Sequence, residues 1–114
     1  MRLYLAGPMR GIKDFNFPLF LEASEQLRAQ GYSVFNPAER DLQQYGVGVF
    51  NSPTGDFKDI AHIGFSLRAA LAADTKYICE EAEAIVLLPG WEKSMGAVAE
   101  KSLAEALGLD VFYY

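Results

Sequence analysis

Residues 3–37 read LYLAGPMRGIKDFNFPLFLEASEQLRAQGYSVFNP, and their pattern sets the fold. Leu3 to Ala6 is a short apolar run closed by Gly7-Pro8, as expected of a buried strand entering a turn. Asn16 is placed to cap a helix, with Pro18 tolerated in the first turn. Phe17, Phe20, Leu21, Ser24 and Leu27 then follow helical spacing, and Gly31 supplies the stop. Tyr32 to Phe35 is a second strand, closed by Asn36-Pro37. Strand, helix and strand at this spacing form a βαβ unit whose two strands should be parallel.

Further along, the regularity first breaks and then returns. From Ala38 to about Ile63 no periodicity holds, and Gly46, Gly48, Pro53 and Gly55 punctuate scattered Tyr45, Phe50 and Phe57. So long a connection in a compact domain is expected to be a lid or binding loop, or to contain short helices. Helical spacing resumes with Leu67, Ala70, Leu71, Asp74 and Ile78. Ala84 to Leu88 is a third strand, ended by Pro89-Gly90. Ser94 can cap a last helix to about Leu107, Gly108 ends it, and Val111 to Tyr113 is a fourth strand. This alternation predicts one α/β domain over residues 1–114. Its core would be a small doubly wound parallel sheet, Rossmann-like or flavodoxin-like, in the strand order 2-1-3-4.

Composition narrows the chemistry. The 114 residues are 51% hydrophobic, with eight Phe and six Tyr, enough for one packed core. A net charge of −5 and a pI near 4.8 argue against binding a nucleic-acid polymer, which favours a basic face. Cys79 is the only cysteine and His62 the only histidine, so a disulfide, a multi-thiolate site and a His-pair metal site are excluded. Neither a signal-peptide apolar region nor a membrane-spanning run is evident, so a cytoplasmic protein is expected.

In an open parallel sheet, ligands bind beyond the carboxyl ends of the strands, where the strand order reverses. The segments emerging there are Gly7-Pro8-Met9-Arg10-Gly11 and Gly90-Trp91-Glu92-Lys93-Ser94-Met95-Gly96, and they are expected to line one pocket. On the last helix, Gly96, Ala99, Leu103, Ala106 and Leu107 form the expected inward stripe, with Glu100 at its edge. Glu100 is therefore either a site carboxylate or a boundary glutamate that reaches water. Lys101 and Glu105 should point outward and pair across one turn. Asp74 holds a position where a hydrophobe would cost less; it either meets a donor or ligand, or caps a new helix at Thr75. The Ser94 to Gly96 turn offers free amides and a positive dipole end to an anion, with Arg10 a possible second donor. Trp91 suits stacking on a flat base as well as plain packing.

Tyr4-Leu5-Ala6-Gly7-Pro8-Met9-Arg10-Gly11 resembles the first strand and loop of the nucleoside 2-deoxyribosyltransferase family and of the related 2′-deoxynucleoside 5′-monophosphate N-glycosidases. Ser94-Met95-Gly96-Ala97-Val98-Ala99-Glu100 resembles that group's helix start, whose glutamate is the nucleophile. The chain looks closest to a compact bacterial and phage subset, marked by the Gly-Pro-Met loop, Asn36-Pro37-Ala38 and Leu88-Pro89-Gly90-Trp91-Glu92. The likeness covers about Leu3 to Tyr113 and is loose from Arg40 to Ser66.

The resemblance implies cleavage or transfer at the N-glycosidic bond of a (deoxy)nucleoside or its 5′-monophosphate. Glu100 would attack the anomeric carbon, Asp74 would bind the sugar or protonate the leaving base, and Tyr4 would orient Glu100. Arg10, Ser94 and the Gly96 amide would hold a 5′-phosphate, with Gly7, Pro8, Met9, Gly90 and Trp91 completing the substrate site. The resemblance implies no cofactor and no metal. It also implies a homodimer, for which the aromatic middle and Tyr113-Tyr114 are candidate contacts. Two other classes compete on the same scaffold: a non-catalytic nucleotide-binding or sensing module, and an interaction protein that uses the middle segment.

Overall fold

A computed structural model describes residues 1–114. Four strands, β1 (Arg2–Ala6), β2 (Ser33–Phe35), β3 (Ala84–Leu87) and β4 (Asp110–Tyr113), form one all-parallel sheet in the order β2-β1-β3-β4. This is the expected α/β architecture, with the reversal between β1 and β3. Helices α1 (Phe17–Ala29), α2 (Pro37–Tyr45), α3 (Leu67–Glu80) and α4 (Met95–Ala106) surround it.

Successive side chains of a strand face opposite ways, and β1 feeds two cores. Leu3 and Leu5 join Phe17, Phe20 and Ala23 of α1, together with Val86 and Leu88. Tyr4 and Ala6 join Ile78 of α3, Ala97 and Ala104 of α4, and Ile85 and Leu87. A sheet covered on both faces explains why β1 and β3 are continuous apolar runs.

The stretch that lacked periodicity contains short helices. Asn36 caps α2 by accepting the Ala38 amide at 2.9 Å, and Pro37 occupies its first turn. Two 3₁₀ segments follow, Val47–Phe50 and Phe57–Ile63. They send Val49 and Ile60 into the α1-side core, so this stretch is a packed wall of the domain.

That wall is tied to the loop after β1. The Ser52 hydroxyl donates to Asp59 at 2.6 Å and accepts from the Gly55 amide at 2.9 Å. The Gly11 amide donates to the Gly55 carbonyl at 2.9 Å, and the Asp14 amide to the Ser52 carbonyl at 2.7 Å. Gly55 lies against the Ile12 backbone, leaving no room for a Cβ.

Asn16 differs from the sequence expectation. It precedes α1, but its side chain does not cap the helix. Its amide nitrogen donates instead to the Pro8 carbonyl at 2.9 Å. Asp14, Phe15 and Asn16 have φ of 54°, 51° and 62°, a left-handed turn that costs roughly 1–2 kcal/mol per residue. Burial of Phe15 and these hydrogen bonds hold the turn in place.

Gly7 fixes how closely β1 and β3 approach at the switch point. A Cβ there would sit 2.7 Å from Leu88 Cβ, inside van der Waals contact. Gly7→Ala is expected to destabilise the protein by about 1–3 kcal/mol through overpacking. Urea denaturation would check this, and an unchanged midpoint would show that Leu88 can move aside.

Candidate active site

Tyr4 pairs in register with Phe35 on one side and Ile85 on the other, at the middle of the sheet. It is 1% exposed, and its ring stacks on Phe35 at 5.6 Å. A buried phenol needs a partner for its hydroxyl. It donates to Glu100 Oε2 at 2.6 Å, a short bond of the charge-assisted kind.

Glu100 reaches this position because α4 is rotated relative to the expected stripe. The buried residues of α4 are Ala97, Glu100 and Ala104, while Ala99, Ala106 and Leu107 face solvent. Glu100 is 7% exposed and lies at the centre of the inward face. Two alanines flank it, leaving room for a carboxylate above the sheet. Lys101 and Glu105 do pair, at 3.2 Å, and Lys101 also lies over the Trp91 ring at 5.3 Å.

Asp74 is inside α3 and caps nothing; the neighbouring Thr75 hydroxyl donates back to the Leu71 carbonyl at 2.7 Å. Asp74 is also 7% exposed, and its Oδ1 is buried with no hydrogen-bond partner. A phenol has one proton, and Tyr4 gives it to Glu100. Asp74 is left facing the same hydroxyl without a donor of its own.

The structure adds residues that the sequence reading missed. Asp41 on α2 is 6% exposed and pairs with Arg40 at 3.2 Å. Ala38, Asp41, Leu42 and Tyr45 stand at helical spacing after an Asn-Pro cap, which was the available signal. Even so, no cluster of three His, Cys, Asp or Glu side chains is suited to hold a metal ion.

Burial dominates the electrostatics. It pushes Glu100 up to about 8, assisted by the charge of Asp74 and opposed by the Tyr4 hydrogen bond. It pushes Asp74 up to about 7, with Asp41 adding and Arg40 subtracting. Tyr4 is raised by burial and then by the neighbouring carboxylates. Glu100 and Asp74 act on each other and titrate as a coupled pair. Their hydrogen bonding differs: Tyr4 donates to Glu100 and favours its anion, whereas nothing donates to Asp74 Oδ1.

The loops after β1 and β3 meet, as the switch-point rule requires. The Leu88 amide donates to the Ala6 carbonyl at 2.8 Å, and a Cβ on Gly90 would be 3.2 Å from Pro8 Cγ. Ser94 caps α4 by accepting the Ala97 amide at 3.1 Å, and the space beside Gly96 is open. Three expected site side chains are engaged elsewhere. Met9 packs on the α1-side core, Arg10 lies over the Phe57 ring at 4.4 Å, and Trp91 packs near Tyr113 at 6.0 Å.

Fold and site together define a small parallel α/β domain with buried, partly unpaired carboxyls on one face of its central strands. The family described as Domain of unknown function (DUF4406) matches residues 1–113, and the chain belongs to it. Comparison with curated proteins gives no match. No helix is long and apolar enough to cross a membrane.

These raised carboxyls make stability depend on pH. Their folded-state values lie above the unfolded range of about 4, so the folded state binds extra protons between about pH 4 and 8. Stability is then fully present below about pH 4 and is lost as pH rises through 6 to 8. The melting temperature should fall from pH 5 to pH 8, and Glu100→Gln should flatten that fall and raise stability at pH 8. Parallel melting curves for the two proteins would remove the argument.

Proposed function

We propose that the protein cleaves, or transfers across, the N-glycosidic bond of a (deoxy)nucleoside or (deoxy)nucleoside 5′-monophosphate, with Glu100 as nucleophile. The observation that carries this reading is the buried 2.6 Å Tyr4–Glu100 bond beside an Asp74 oxygen with no partner. Carboxyls whose proton affinity is strongly raised by burial cluster at functional sites.

The chemistry follows from the atoms. Tyr4 engages Oε2 and orients the carboxylate so that Oε1 attacks the anomeric carbon. The bond from that carbon to the base nitrogen breaks as the ester bond forms, and the departing base takes a proton from neutral Asp74. Water, or the nitrogen of a second base, then attacks the same carbon and releases Glu100; the proton it loses returns to Asp74. The first turn of α4, with Ser94 and the open face of Gly96, suits a 5′-phosphate.

Incubating the protein with deoxynucleosides and deoxynucleotides and assaying free base tests the activity. Glu100→Gln should keep binding but lower turnover on the order of 10⁴-fold or more, the scale seen when a covalent nucleophile is removed. A slow fluorinated substrate should label Glu100. Near-normal turnover in Glu100→Gln, or a label on Asp74, would reassign the mechanism. Ligand retained by an inactive unaltered protein, with no loss of affinity in Glu100→Ala, would make this a sensing module.

The phosphate subsite has its own test. A deoxynucleoside 5′-monophosphate should bind more tightly than its nucleoside. Equal affinities would remove the subsite.

A further inference from the structure

The sheet has two open edges, β2 and β4, and the chain treats them differently. An open edge presents unpaired N–H and C=O groups, which invite a further strand unless something covers them. On β2, the Ser33 amide points inward to the Met1 carbonyl, so the backbone of Val34 faces out. The Val34 carbonyl accepts from the Arg28 guanidinium at 2.9 Å, and Glu39 holds that guanidinium by two bonds of 2.6 Å. This edge is three residues long and is closed by a side chain of the same chain.

β4 has no such cover. The Asp110 and Tyr114 amides donate to the Glu83 and Leu87 carbonyls, at 3.4 and 2.9 Å, so these residues turn their backbone toward β3. Alternation turns the backbone of Phe112 the same way, and that of Val111 and Tyr113 to the open side. The strand, Asp-Val-Phe-Tyr, holds no lysine, proline or bulge, the devices that blunt an edge. Its aromatic side chains meet water: Phe112 is 46% exposed and Tyr113 64%. The aromatic middle segment, the other contact expected from the sequence, is taken up by the domain's own core, where Tyr45, Phe50 and Phe57 pack.

The geometry points to a second copy of this chain as the occupant: β4 pairs antiparallel with the partner's β4 about a twofold axis at Phe112, joining two four-stranded sheets into one. In this register the strand is complementary to itself. Val111 meets the partner's Tyr113, and Tyr113 meets the partner's Val111. Each pair exchanges two backbone hydrogen bonds, so every open group of both edges is satisfied. Phe112 meets the partner's Phe112 in the closer, non-hydrogen-bonded position, and the flanking pairs set an aromatic ring on a β-branched side chain. Asp110, the strand's one charge, falls opposite the partner's Tyr114, so no like charges face each other. A foreign strand could use the same backbone groups. Self-pairing is favoured because hydrogen-bond phase, side chains and charge all match under one twofold operation. The pairing does not depend on the N-glycosidic reading.

Sedimentation equilibrium of the full chain over a concentration series should show a species of twice 12.6 kDa that dissociates on dilution. Phe112→Lys sets two ammonium groups across the axis and should raise the dissociation constant by about tenfold or more, the scale of a lost aromatic pair. Phe112→Glu should do the same alone. Mixing the two variants should restore a mixed dimer, which a mere loss of stability would not. Cys79, the one native thiol, is exposed and can be removed as Cys79→Ser. In that background Phe112→Cys should cross-link on oxidation with diamide, since facing residues at such a position stand about 4.5 Å apart at Cα. Tyr113→Cys should not, because its counterpart lies two positions further along the partner strand.

A monomer at every concentration would overturn the proposal and leave the edge to a strand of another protein. A dimer indifferent to Phe112→Lys, or one cross-linked equally through Tyr113→Cys, would overturn it by placing the contact or the register elsewhere. Should Phe112→Lys not fold, the cross-linking decides alone, and no disulfide through Phe112→Cys would overturn the pairing.

Discussion

Tyr4 stands in the middle of β1 with its hydroxyl 2.6 Å from Glu100, and much of the α3–α4 face is arranged around that bond. A phenol and a carboxylate this far from water are costly singly, and each relieves the other. Room for the pair comes from Ala97 and Ala104, which let α4 approach the sheet. The rings of Phe35 and Tyr77 extend the aromatic layer beside Tyr4. A leucine at position 100 would pack this face more cheaply than a glutamate. The carboxyl therefore carries a cost that packing alone does not explain.

The opposite face provides rigidity. Ser52 and Asp59 organise the turn around Gly55, and Gly55 in turn receives the loop that follows β1. The left-handed turn at Asp14 to Asn16 stores strain, and Asn16 directs its amide to the Pro8 carbonyl. The loop beside the switch point is thus held from two directions before any ligand arrives. Preorganised loops lose little entropy on binding.

Legibility varied with the kind of signal. The two central strands were clear because cover on both faces gives short apolar runs, each ended by a Gly or Pro turn. Ser94 was clear as a cap because its side chain bonds only the local backbone. The α4 stripe was read one position off, since alanines occur on both sides of that helix and give a weak period. Asn16 was misread because its partner, Pro8, is near only in the folded loop. Asp41 lay in a stretch where glycine and proline obscured a nine-residue helix.

By itself, the sequence determined the parallel sheet, its strand order and the candidacy of Glu100, Asp74 and Tyr4, because periodicity, turn residues and helix caps are local properties of the chain. Tertiary structure alone decided that Tyr4 bonds Glu100 and that Asp74 keeps an oxygen without a partner. Those facts depend on helix rotation and on contacts between residues up to 96 positions apart. Only the packed core fixes such contacts, and with them the exclusion of water that gives the carboxyls their raised proton affinity.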